Sequence, residues 1–239
     1  MAIVESPGTG SPTELGHIVG QCLTREAVQD LMSGANAALH FEDCDFDDTD
    51  LSRLDLSRCE FLRCSMAETS FFAAILVQTR WQRCRGREAN FEAAELTDAG
   101  FVSCDLNNTS WRRAKLSSSH SESCKLTGAN FEDCAALGLS FVDSLLICAH
   151  LRGMSFRKTL LQGLDFSEAD LSGTDFRDVV FAGGSLRDAR LKGARFHGAD
   201  LREADLGGLK LVDAALFKGA LISNAQAAIL LGELGIRVA

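Results

Sequence analysis

Large apolar side chains recur every fifth residue along most of this chain. They begin with Phe41, Phe46, Leu51, Leu56, Phe61, Met66, Phe71, Leu76 and Trp81, resume after Gly86 at Phe91, and keep the same frame to Leu221. Of these 37 positions only Gly86, Ser121 and Ala136 are not large and apolar, and thirteen of the fifteen phenylalanines and both tryptophans fall on them. No insertion is expected to shift that frame between residues 41 and 221. A second register two residues earlier is mostly small: Cys44, Thr49, Cys59, Cys64, Thr69, Ala74, Cys84, Ala89, and later Ala169, Ala194 and Ala204. The other three positions of each five are rich in Asp, Glu, Arg, Ser and Gly.

A period of five fits neither the 3.6 of an α-helix nor the 2 of a flat strand. It suits a chain that turns a corner every five residues and points one large and one small side chain inward. Stacked coils then place like on like and pair backbones about 4.8 Å apart. One such unit cannot bury a core alone, so the repeats must accumulate.

The segments "GANFEDC", "EADLSGTDF", "RDARLKGARF" and "GADLREADL" carry an A-[DN]-[LF]-x-x pattern that resembles the pentapeptide-repeat family. That resemblance implies an all-β fold, a right-handed, square-sectioned parallel β-helix over residues 39–223 with four repeats to a coil and about nine coils. Taking every fourth repeat then puts Phe41, Phe61, Trp81, Phe101, Ser121 and Phe141 on one face and Phe71, Phe91, Trp111 and Phe131 on the opposite one, with Phe156, Phe176 and Phe196 moving the aromatic column to a third. Residues 1–20 read as a Gly/Ser/Pro leader, and residues 21–38 as a capping helix started by Thr24 and stopped at Gly34. Residues 224–239 read as a helix followed by a last strand, "IRVA". In quinolone-resistance members of the family such a C-terminus forms a two-fold dimer, which would place Ile229, Leu230, Leu234 and Ile236 in a homodimer contact; a simple cap is the alternative.

Composition narrows the function. The net charge of −9 argues against a direct nucleic-acid ligand, because phosphate binding needs clustered cations. No stretch reaches the roughly 18 apolar residues that cross a bilayer, so no membrane partner is expected. The first twenty residues hold no Lys or Arg and no apolar core, unlike a secretory signal, so a bacterial cytoplasmic setting is expected, with secretion as an effector the alternative.

Catalytic and metal motifs are missing. Seven of nine cysteines sit on the small inward register, where a thiol acts as a compact hydrophobe, and no C-x-x-C or Cys–His zinc spacing occurs. The five histidines are expected to lie dispersed along the rod, and the Ser–His neighbours around His120 to diverge. No catalytic residue, metal site or cofactor is assigned, and an enzyme is not expected.

Function should therefore lie on the outside, as protein binding. An acidic face is expected to include Asp45, Asp47, Asp48, Glu68, Asp105, Asp165 and Asp188, interrupted by Arg85 and Arg87. Apolar outward residues, Phe72, Ile75, Val77, Leu137, Leu145 and Ile147, suggest a contact near mid-rod. The family resemblance implies a DNA mimic that binds a type II topoisomerase, DNA gyrase or topoisomerase IV, and protects it from quinolones. The alternatives are a protein-binding scaffold, regulator or effector without that target, or a structural module of a larger assembly.

Overall fold

In the computed structural model the described residues are 16–34, 38–209, 215–232 and 235–237. They form a parallel β-solenoid whose strands and bridges pair a residue with one twenty positions on, as His40 with Glu60 and Asp45 with Ser65. About eight full coils lie between residues 39 and 209, against the nine expected, which gives a rod of about 40 Å at the inter-strand spacing. On one face, face 1, short strands run up the rod: β2 (Leu39–Glu42), β3 (Glu60–Leu62), β4 (Arg80–Gln82), β5 (Gly100–Val102), β6 (His120–Glu122), β7 (Ser140–Val142), β8 (Leu160–Gln162) and β9 (Val180–Ala182). The next three faces, in chain order faces 2, 3 and 4, are held by single bridges.

The corners explain the five-residue period. At most of them the N–H of the small inward residue returns to the carbonyl of the large one three before it, as from Thr49 to Phe46. The residue between, Asp48 in that case, has a positive φ, as a type II turn requires of its third residue. The [DN] of the motif supplies a second tie. Its carboxylate or amide oxygen accepts the N–H two residues on, as Asp45 accepts from Asp47 and Asp165 from Ser167, each at 2.9 Å.

Inside, the rings stack along the rod and meet edge-to-face across it. Phe71, Phe91, Trp111 and Phe131 lie nearly parallel with centroids 4.3–5.7 Å apart, and Phe71 meets Trp81 at 88° across the bore. Each indole has a local acceptor: Trp81 Nε1 donates to Thr79 Oγ1 at 2.9 Å, and Trp111 Nε1 to Thr109 Oγ1 at 2.7 Å. Gly86 leaves no void, because Met66 and Leu106 close over it.

Both ends of the regular coils are covered. Residues 16–19, inside the segment expected as a leader, form strand β1 (Gly16–Val19), which pairs in parallel with β2 and covers its edge. Helix α1 (Arg25–Gly34) follows, with Val28 buried; its Arg25 guanidinium donates to the carbonyls of Asp50 and Ser52. Helix α2 (Asn224–Gly232) opens with a reciprocal capping box between Ser223 and Gln226. The Gln226 amide also donates to the carbonyls of Leu201 and Ala204 at 2.7 Å, satisfying the last coil. Ile236 and Arg237 are not in a strand, and the remainder of the expected "IRVA" strand lies outside the described residues.

Two features break the frame. After Gly207 the register slips by one residue, so Asp200 pairs with Leu221 rather than with residue 220. Phe217 consequently continues the Phe156–Phe176–Phe196 column, stacking on Phe196 at 4.7 Å, while Leu221 is 50% exposed; the expected frame to Leu221 is corrected.

The second break is in the wall. Among the described residues no backbone hydrogen bond joins 133–139 to 152–158, and face 1 divides into a seven-stranded and a two-stranded sheet between β7 and β8. The cause is a mismatch in the column on face 4, which steps from Leu116 through Ala136 to Phe156 just where the small register carries the larger Leu139 and Met154. Neighbouring coils of unequal cross-section cannot keep strand spacing all the way round.

Candidate partner-binding surface

The structure places the expected acids on face 2, in two groups rather than one stripe. Asp45, Asp47, Asp48 and Glu68 are at the N-terminal end, and Asp48 and Glu68 occupy the same corner one coil apart. Asp165 and Asp188 lie near the other end of the face, about 30 Å away counted in coils. Between them the face carries Arg85, Arg87, Asn107, Asn108, Lys125, Leu145 and Ile147; its acids there are paired, Glu88 with Arg87 at 3.2 Å and Asp105 with Lys125 at 3.9 Å.

These carboxylates do different work. Asp45 and Asp165 are committed to their own corners. Asp47 spans two coils, its Oδ1 accepting from the Ser65 hydroxyl at 2.8 Å and the Ala67 N–H at 2.7 Å. Asp48, Glu68 and Asp188 are exposed at corners, and among the described residues none of the three forms an ion pair. Elsewhere cations one coil away neutralise acids, as Arg113 does Glu92, Lys115 does Glu95, Arg152 does Asp170 and Arg187 does Asp205. From Leu39 to Glu68 nine acids stand against three arginines, a net −6 of the whole chain's −9.

The expected apolar contact does not form as one patch. Ile75 and Val77 are on face 4 and Phe72 on face 3, whereas Leu145 and Ile147 are on face 2, opposite face 4 and four coils further along. Leu137, 84% exposed, is instead followed along the corner between faces 4 and 1, beside the gap in the wall, by Leu160 and Val180, two exposed side chains that sequence reasoning missed. Their positions are outward in the repeat, so a signal was present, but only the gap made it distinctive. At the C-terminus Ile229 and Ile236 are exposed and Leu230 is half-buried, while Leu234 lies outside the described residues.

The histidines are less scattered than expected. His17 and His40 pair in register on β1 and β2 with ring centroids 4.8 Å apart, and Glu42 lies beside them. Their spacing of 23 residues, not 20, hides this pair from any search at the coil period. His120 does find a serine, but in the next coil: its Nδ1 is 2.9 Å from Ser140 Oγ, and its Nε2 is 3.6 Å from Glu122. That hydroxyl is on the open flank of face 1 and is not enclosed. The buried cysteines act as core; the thiols of Cys64, Cys84, Cys104 and Cys124 each donate to a carbonyl of the preceding coil.

A five-residue repeat wound into a four-sided parallel solenoid, with small thiols and aromatic columns inside, defines a β-helical rod of pentapeptide repeats. The family profile described as "Pentapeptide repeat region" matches residues 37–111 and 54–131, and that described as "Pentapeptide repeats (8 copies)" matches windows from 124–163 to 185–217. The chain belongs to the pentapeptide-repeat proteins. A solved structure of QnrB1, a plasmid-mediated fluoroquinolone resistance protein, in a trypsin-treated variant form, superposes with a TM-score of 0.67 at 24% identity, covering 82% of this chain and 97% of that one. Full-length QnrB1 gives 0.64 at 22% identity, covering 93% and 98%. Comparison with curated protein sequences found no significant match.

Proposed function

We propose that this protein is a non-enzymatic binding rod of the bacterial cytoplasm. Its acidic N-terminal coils dock on the DNA-binding surface of a type II topoisomerase, DNA gyrase or topoisomerase IV, in place of the duplex, and protect it from quinolones. The observation that carries this reading is the concentration of charge: −6 between Leu39 and Glu68, with Asp48 and Glu68 projecting from one corner. The shared fold with QnrB1, a fluoroquinolone resistance protein, supports the choice of target. Recognition by one end fits the charge distribution better than recognition along the whole rod, since face 2 turns basic and apolar midway. The exposed Ile229 and Ile236 are the surface through which a second copy would join.

The test is DNA supercoiling by purified gyrase, titrated with this protein at two salt concentrations, with and without a fluoroquinolone. Salt-sensitive inhibition or drug protection that is lost in Asp48→Lys/Glu68→Lys supports the reading. No effect at tens of micromolar, or an effect unchanged in that variant, overturns it.

The gap in the wall favours a second reading, a scaffold that binds a protein partner through Leu137, Leu160 and Val180. Binding there would change little with salt and would fail in Leu137→Asp/Leu160→Asp.

A further inference from the structure

The strand that covers the first coil brings together three groups with the chemistry of a metal site. Along β1 only Ile18 points inward, so His17 is on the outer surface; along β2 Leu39 and Phe41 point inward, so His40 and Glu42 share that surface. Parallel pairing sets His17 directly beside His40. His17 Nε2 is 2.8 Å from Glu42 Oε2, and His40 Nε2 is 4.0 Å from the same oxygen. One nitrogen from each imidazole and one carboxylate oxygen all lie within 4.8 Å of one another.

The surroundings point independently to a ligand set. Glu60 Oε2, one coil further on, is 3.0 Å from the other ring nitrogen of His40, Nδ1. A carboxylate there accepts a hydrogen bond from Nδ1–H and so leaves the Nε2 lone pair on the side of Glu42, the carboxylate–imidazole arrangement that orients histidine on metals. Arg63 engages the second oxygen of Glu42 and both oxygens of Asp43.

We propose that His17 Nε2, His40 Nε2 and Glu42 Oε2 bind one divalent transition-metal ion of the zinc class, with water in the fourth position, fastening β1 to the first coil. Ligand atoms around a four-coordinate zinc are about 3.3 Å apart at bond lengths of about 2.0–2.1 Å, so His40 Nε2 must approach Glu42 by less than about an ångström and His17 Nε2 must draw back from it by about half an ångström. Two nitrogens and one oxygen suit zinc, cobalt, nickel or copper and not calcium or magnesium, which take oxygen sets. The ion would add two positive charges at the end of the rod that carries most of the negative charge.

The test uses the full chain, stripped with a chelator and titrated with zinc by calorimetry and with cobalt by visible absorption. The expected result is one ion per chain and a four- or five-coordinate cobalt spectrum. His17→Ala and His40→Ala should each weaken binding at least ten-fold, and Glu60→Gln, which touches no metal, by about ten-fold or more. Zinc at a hundred-fold excess over its Kd should raise the melting temperature of the wild type by about 5–10 °C and leave the folded His17→Ala/His40→Ala variant unmoved. Absence of saturable binding overturns the proposal. So does undiminished binding in the double variant, or a thiolate-to-cobalt charge-transfer band, which would put the ion on a cysteine such as the exposed Cys22.

Discussion

Phe91→Ala tests the central physical claim, that stability here is carried by columns of rings contacting only neighbouring coils. Phe91 is fully buried, stacked between Phe71 at 4.9 Å and Trp111 at 4.3 Å, with Trp81 and Phe101 edge-on at 6.0 and 6.3 Å. Deleting a buried phenyl ring costs about 3–5 kcal/mol, the amount depending on how far the site can collapse. Collapse is opposed here, because the walls are hydrogen-bonded through every coil from residue 39 to 131. Aromatic pairs are worth about 0.5–1.5 kcal/mol each beyond burial, which places the expected loss near the upper end, about 5 kcal/mol. The measurements are equilibrium urea unfolding and amide hydrogen exchange. Exchange should accelerate in the coils of Phe71 and Trp111 and stay near wild type from Leu161 to Leu206, since a solenoid sums nearest-neighbour terms. A loss below about 2 kcal/mol, or equal acceleration at both ends of the rod, would refute the reasoning.

Three further outcomes are expected. Asp175 is almost wholly buried between Arg177 and Arg195, and its hydrogen bonds to Arg177 hold its carboxyl down to about 2. A depressed folded pKa stabilises above the unfolded value near 4 and is lost as pH falls towards 2, so the stability cost of Asp175→Asn should be about 2 kcal/mol larger at pH 6 than at pH 2; an equal cost at both would contradict the pairing. In a native thiol titration Cys22 and Cys148 should react and the inward cysteines should wait for unfolding, because burial pushes the Cys59 and Cys134 thiols up to about 11. Burial and neighbouring Glu168 also push the Cys148 thiol up, so it should be slow for an exposed group; more than two fast thiols would show the core open. Finally, the amides of Ala136 and Gly138 should exchange fastest among the regular coils, and protection equal to that of their neighbours would mean the wall is closed in solution.

The repeat wrote the fold into the sequence almost completely, because an inward position tolerates only an apolar or small side chain and the winding returns it every five residues. The aromatic columns and their switch of face at Phe156 follow from that rule, and the helix after Thr24 was legible from its own cap and stop residues. What was not legible follows from its exceptions. The one-residue slip before Phe217 is invisible because Leu211, Leu216 and Leu221 continue the pattern by composition, though Leu221 ends on the surface. Ala136, Leu139 and Met154 are individually acceptable; only their stacking against Phe156 opens the wall. His17 and His40 meet because α1 intervenes between their strands, which sets an offset outside the repeat.

The acids show why the functional surface is harder to read than the core. In the repeat an Asp at the second position is first a turn former, and the bonds from Asp45 to Asp47 and from Asp165 to Ser167 show that role met in full. A stripe drawn through such residues mixes structural carboxylates with free ones. Cross-coil pairing thins the stripe further, since a cation eighteen to twenty-one residues away lands on the adjacent coil, as Arg63 does on Asp43 and Arg152 on Asp170. Of the acids on face 2, the charge left for a partner is what neither corners nor pairs consume: Asp48 and Glu68 at one end, and Asp188 at the other. Acidity bears on recognition only at positions where the repeat makes no use of it; Asp98, Asp133 and Glu203 are such positions on other faces, and on face 2 two of the three lie where the winding begins.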